Sequence, residues 1–263
     1  MLKNTITKTL YIKRWMLLSW CLGIVALVVF TMVFYPTMSK TLGQSLKDVP
    51  DSLKSFVGDS ATYSTIAGYA DLQVFAQLVT MTLIFGIILF TGLIAGEEAD
   101  GTLQSLLVQP LKRSRIYFEK LIAAITMLGI SCLSISFGVA VGLMIINEGL
   151  NAGRLLAATF ATLLVSLVFS SIGFAIGAIT GKRGLAGGLA GALAFTSLLI
   201  STLAVSISSL RTVDKLSPFH YFNKPGILQY GPHWDDMVVL AGISIVILVI
   251  GAIVFIKRDV YQP

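Results

Sequence analysis

Hydrophobic and polar positions in this chain do not alternate; they separate into blocks. Six stretches, at about 15–35, 74–96, 121–146, 155–180, 185–207 and 237–256, hold no charged residue, and the charges and turn residues collect between them. Each reaches the roughly 20 residues that a helix needs to cross about 30 Å of hydrocarbon. A backbone in lipid must satisfy its own hydrogen bonds, so runs this long and this apolar read as helices. The expected fold is an all-α integral membrane protein with six transmembrane helices, a single domain over 1–263.

The segments between the spans then carry the specificity. Residues 1–14 place Leu2, Ile6 and Leu10 at helical spacing, which predicts an amphipathic lead-in lying along the inner leaflet. Nothing there reads as a cleavable signal, so the first span is expected to be retained. The longest link, 36–73, has Leu46, Val49, Leu53 and Phe56 at roughly helical spacing with Pro50 among them. It predicts one or two short helices on the outer surface. Residues 147–154 form a polar turn, and Gly181-Lys182-Arg183-Gly184 closes spans four and five into a tight hairpin. The last link, 208–236, contains Leu216-Ser217-Pro218-Phe219-His220-Tyr221-Phe222, then Pro225, Tyr230, Pro232 and Trp234. Aromatics suit the headgroup boundary and prolines preclude a straight span, so an outer re-entrant or interfacial hairpin is expected.

Composition agrees with a membrane protein: 56% of residues are hydrophobic, 12% charged, and mean hydropathy is +0.87. A soluble domain carries about a quarter charged residues, and the spans leave no room for a soluble catalytic domain. The net charge of +6 is a topology signal rather than a nucleic-acid patch. With the N-terminus inside, the inner segments hold Lys3, Lys8, Lys13, Arg14, Lys112, Arg113, Arg115, Lys120, Lys182, Arg183, Lys257 and Arg258. The longer outer segments hold only Lys40, Lys47, Lys54, Arg154, Arg211, Lys215 and Lys224. The positive-inside rule therefore places both termini in the cytoplasm.

Within the six stretches there is no Asp, Glu, Lys, Arg or His, the groups that proton- and ion-coupled carriers place at membrane depth. The two cysteines, Cys21 and Cys132, sit in spans without metal-ligand spacing and read as packing residues. His220 and His233 read as interfacial side chains. Gly181-Lys182 lacks the glycine at 176 and the hydroxyl at 183 that a P-loop requires, so no nucleotide site is expected here. No catalytic, cofactor-binding or metal-binding residue is assigned. Small residues do recur four apart, at Gly92/Gly96, Gly138/Gly142, Gly173/Gly177, Gly184/Gly188 and Gly187/Gly191, which lets helices approach closely in lipid. The dense set Gly184, Gly187, Gly188 and Gly191 opens the fifth span and is the candidate surface for packing on a mobile neighbour. Thr159, Thr162, Ser166 and Ser170 follow one side of the fourth span and are expected to bond the preceding turn's carbonyls.

The most informative segment is 97–115, Glu97-Glu98-Ala99-Asp100-Gly101-Thr102-Leu103-Gln104-Ser105-Leu106-Leu107-Val108-Gln109-Pro110 and the basic run after it. Asp100 or Thr102 can cap a helix start, the acidic residues favour a helix N-terminus, and Pro110 stops it. The pattern predicts a helix of about ten residues with Leu103, Leu106 and Leu107 on one side, followed by Lys112, Arg113 and Arg115 against the anionic inner leaflet. Such a peg, gripped by a partner, would tilt spans two and three.

Glu98-x-x-Gly101-Thr102-Leu103, followed by Leu106-Leu107, Pro110, Arg113 and Lys120, resembles the cytoplasmic loop of type-2 ABC transporter permeases. With the six spans, the long first outer loop and the Leu216–Phe222 run, the resemblance covers essentially the whole chain. It implies a permease of the plasma membrane in an ATP-driven exporter, whose coupling helix, including Glu97, Glu98, Gly101, Thr102, Leu103, Leu106, Leu107 and Pro110, fits a groove on a cytosolic ABC ATPase subunit. Arg113 and Lys120 would frame the return to the membrane. The resemblance further implies ATP and Mg on the partner ATPase, a second permease copy or paralogue, and an outer gate or interface at Pro218, Phe219, His220, Tyr221 and Phe222. Membrane lipids are the remaining expected partner. An ATP-independent secondary transporter or channel, and a non-transporting membrane scaffold, are the rival readings.

Overall fold

The computed structural model describes residues 5–39, 65–102, 112–205, 207–222 and 226–258. In chain order its helices are α1 (Thr5–Ser39), α2 (Ile66–Ala99), α3 (Arg113–Ile146), α4 (Ala152–Thr180), α5 (Arg183–Ala204), the short α6 (Arg211–Asp214), α7 (Pro218–Phe222) and α8 (Ile227–Tyr230), and α9 (Trp234–Lys257). The described residues contain no strand. Six helices, α1 to α5 and α9, are long and apolar enough to cross a membrane. The chain is an all-α, multi-pass membrane protein.

The apolar stretches all fall on these helices, but the helices are longer. The predicted lead-in runs into the first span without a break from Thr5, α2 starts ahead of its apolar stretch at Ile66, and α3 starts at Arg113. A helix of 34 residues is about 51 Å long, against about 30 Å of hydrocarbon. Their first turns therefore carry polar groups that the apolar pattern left in loops. Only α5 is shorter than expected, ending at Ala204 rather than 207.

Local chemistry sets several ends. Asn147 closes α3 in the left-handed region at φ 54, a conformation that asparagine tolerates. Asn151 caps α4 by accepting from the Arg154 N–H at 3.2 Å. Gly181 ends α4 at φ 67, its N–H donating to Gly177 O at 2.9 Å, and α5 begins two residues later. The 181–184 hairpin is as tight as its sequence suggested.

α4 is the central helix, packed against α2, α3, α5 and α9. Small residues make that possible. Gly173 lies against Thr91 and Ala190, and Gly177 against Ala95 and Ala186, so one GxxxG pair accepts both α2 and α5. Gly138 and Gly142 of α3 receive Val28 and Met32 of α1 in the same way. Elsewhere α1 is largely exposed to the surroundings. Buried hydroxyls on α4 are satisfied: Thr159, Thr162 and Ser170 donate to the carbonyls of Leu155, Ala158 and Ser166 at 2.9, 2.9 and 2.7 Å. Ser166 additionally meets Thr82 of α2 at 3.1 Å.

Candidate functional site

The site is built at the end of the bundle where Thr5 and Arg258 lie, around the last turns of α2. Between Gly92 and Gly96 that helix widens into a π turn, a local irregularity that recurs at functional sites. Glu97 and Glu98 follow directly, and the helix ends at Ala99. Gly101 then reverses the chain at φ 69, where a residue with a Cβ is strained. Its N–H donates to Glu98 O at 3.1 Å, and the Thr102 hydroxyl donates to Glu97 O at 3.2 Å. Gly101 and Thr102 thus shape the exit from α2. Leu103, Leu106, Leu107 and Pro110, with the expected ten-residue helix, lie outside the described residues.

Each of the two glutamates holds a different neighbour. The Lys120 ammonium of α3 donates to Glu97 Oε2 at 2.5 Å and to Leu93 O, inside the π turn, at 2.6 Å. Its side chain is 0% exposed, that of Glu97 25%. A buried ammonium without an acceptor is costly, and Lys120 has two. The Arg258 guanidinium, just beyond α9, grips Glu98 with two nitrogens at 2.5 and 3.1 Å, and also donates to Ala178 O of α4 at 3.1 Å. This forked geometry is the stronger class of charge-assisted hydrogen bond. Arg113, at the first turn of α3, donates to the Arg258 carbonyl. Arg183 of α5 lies beside Gly96, and the Glu98 carboxylate rests against Gly181. The end of α2 is thereby tied to α3, α4 and α9 and flanked by α5. α1 joins separately: the Thr5 N–H donates to Glu119 Oε2 at 3.1 Å, and Glu119 pairs with Arg115 at 2.7 Å.

Among the candidates read from sequence, Glu97, Glu98 and Arg113 come together here. The sequence marks Lys120 as a flank of the loop and a topology charge, and Arg258 only as a topology charge. One signal was available: Lys120 follows Arg113 by seven residues, two helical turns, and so shares its face. No sequence spacing relates Glu98 to Arg258.

At the opposite end, where Asp71 lies, α6 to α8 pack across the mouths of α4, α5 and α9 in place of a single hairpin. Phe219 is 1% exposed and stacks on Phe169 of α4 with ring centroids 5.5 Å apart. Pro218 starts α7, and the Tyr221 hydroxyl donates to Lys215 O at 3.0 Å. His220 Nδ1 meets Asp214 Oδ2 at 2.6 Å, and Asp214 Oδ1 accepts from Ser201 of α5 at 2.5 Å. Phe222 is half-buried. The helix α8 is held from both sides. Asp71 of α2 accepts from the Leu228 and Gln229 N–H groups at 3.1 and 3.4 Å, and Arg154 of α4 donates to their carbonyls at 3.2 and 2.7 Å.

On α5 the face turned inward is Ala186, Ala190 and Ala194. Gly184, Gly188 and Gly191 look into open space, and Gly187 comes only within 4.0 Å of Thr91. Gly184, Gly188 and Gly191 are therefore not used to pack this chain on itself. Among the described residues, no three of His, Cys, Asp and Glu gather to hold a metal.

A protein-family model described as "ABC-2 family transporter protein" matches residues 12–260. No curated protein matches the chain.

Proposed function

This chain belongs to the ABC-2 transporter family, and from that premise we propose that it is the membrane subunit of an ATP-driven exporter, worked through its 97–115 loop by a separate cytosolic ATPase. On this reading it is an ABC permease of the plasma membrane with both termini in the cytoplasm. Two permease copies, identical or related, stand side by side, each above an ATPase that carries the ATP and Mg. Glu97, Glu98, Gly101, Thr102, Leu103, Leu106, Leu107, Pro110 and Arg113 form the coupling element. The reading gives this chain no covalent chemistry.

One observation supports the coupling role most strongly. The loop's root is clamped by Glu97–Lys120 and Glu98–Arg258, so a force on the loop moves α2, α3, α4 and α9 together rather than being absorbed by a loose hinge. Packed helices with two discrete arrangements convert such a push into a population shift. The π turn at Gly92–Gly96, the one of the two π segments of α2 that lies at the loop's root, the other being Ala70–Phe75, is a place where α2 can re-register during that shift. Small residues at Gly184, Gly187, Gly188 and Gly191 leave α5 able to pack closely on the second permease copy, and α7 closes the outer mouth beside the route.

The test is to purify the chain with its ATPase and compare Leu103→Asp and Leu106→Asp with the parent. Both variants are expected to insert normally and to lose ATPase binding or transport-stimulated hydrolysis. Full ATPase binding and stimulation in both would refute the coupling role.

A further inference from the structure

The Asp71 end holds a half-open cavity of about 760 Å³ between the first turns of α2, the end of α5 and the short helices α6 to α8. That is within the range of about 300–1,000 Å³ typical of sites for small organic ligands. Apolar Leu72, Phe75, Val205 and Ile227 are among its lining residues. Its charged lining consists of Asp71, Arg211, Asp214 and Lys215, with His220 beside them.

The charges are not equivalent. Both carboxylates are occupied: Asp71 by the Leu228 and Gln229 N–H groups, Asp214 by the Ser201 hydroxyl and the His220 ring. Arg211 opens α6 and Lys215 follows its last residue with the backbone still in the right-handed helical region, so the two, four residues apart, share one face. Among the described residues, neither cation has a carboxylate partner. The cavity therefore combines two uncommitted cations with apolar lining residues.

We propose that this cavity binds an anionic amphiphile, with the phosphate or carboxylate headgroup at Arg211 and Lys215 and the apolar tail against Phe75, Val205 and Ile227. An arginine and a lysine four apart suit a multiply bonding oxyanion. The apolar part of the lining gives a tail something that a free anion could not use. The inference does not depend on ATP-driven coupling, because binding is read without nucleotide.

The experiment measures lipid retained by the purified full-length chain, by native mass spectrometry, after exchange into detergent containing short-chain phosphatidylglycerol or phosphatidylcholine. Phosphatidylglycerol is expected to be retained at least about tenfold more strongly, a difference that one charge-assisted contact can supply. The double variant R211Q/K215Q alters only exposed side chains and is expected to lose that preference. Lys182→Gln, at the opposite end, is expected to keep it. Equal retention of the two lipids overturns the proposal, as does an unchanged preference in the double variant or an equal loss in Lys182→Gln. A free-anion site is distinguished by competition: inorganic phosphate displacing phosphatidylglycerol at equal concentration would show that the tail contributes nothing and would overturn the amphiphile assignment.

Discussion

Lys120 and Glu97, 23 residues apart in sequence, meet at 2.5 Å with the lysine fully enclosed. The contact is made where α2 widens into its π turn, and the lysine's second acceptor is the Leu93 carbonyl inside that turn. The pair thus reports on the helix irregularity as well as on the junction of α2 and α3.

Removing Glu97 leaves the Lys120 charge buried, and removing Lys120 leaves the Glu97 carboxylate half-buried without its cation. Glu97→Gln and Lys120→Met should each destabilise the protein by about 3 kcal/mol, whereas the double variant should recover most of that loss. Unfolding in detergent, followed for the four proteins of the cycle, gives the coupling directly. Additive losses would mean that the two groups act independently.

Gly181 and Gly101 share a positive φ but not an environment. A Cβ at Gly181 meets the Glu98–Arg258 pair, whereas at Gly101 it meets nothing. Gly101→Ala should cost only the left-handed backbone strain, about 1–2 kcal/mol. Gly181→Ala should cost more and should disturb Arg258 as well. Thermal melts of the two variants would show equal losses if the clamp were unimportant.

The glycines of α4 and α5 also separate. Gly173→Leu should destabilise the single chain, because Thr91 and Ala190 already fill that space. Gly188→Leu has open space before it and should leave the melting temperature unchanged or slightly raised through better helix propensity. If α5 faces a second permease copy, the same change weakens pairing. Crosslinking of the membrane-embedded protein reads that second effect. An undiminished dimer would place the interface elsewhere.

Topology has its own check. In a background lacking Cys21 and Cys132, an impermeant maleimide should label Lys215→Cys in intact cells and Lys182→Cys only after permeabilisation. The reverse pattern would invert the orientation that the basic residues imply.

The two ends of the bundle were legible to different degrees. The Phe219 region stood out in the sequence because its proline and aromatic density is local. The clamp did not, since Arg113, Lys120 and Arg258 serve equally well as positive-inside charges and nothing in their spacing separates a solvated charge from an enclosed one. Likewise, GxxxG spacing marked α4 and α5 alike. Only the packed bundle distinguishes Gly173, which is used, from Gly188, which is open.

What the sequence determined by itself was the number of spans and their place in the chain. Leaving backbone groups unpaired in hydrocarbon is so costly that length and composition alone enforce a helix. The tertiary structure decided which charges near the helix ends pair. Glu98 and Arg258 are 160 residues apart, and they meet only because α2, α4 and α9 pack with those ends level, a consequence of side-chain fit along the whole bundle that no short segment carries.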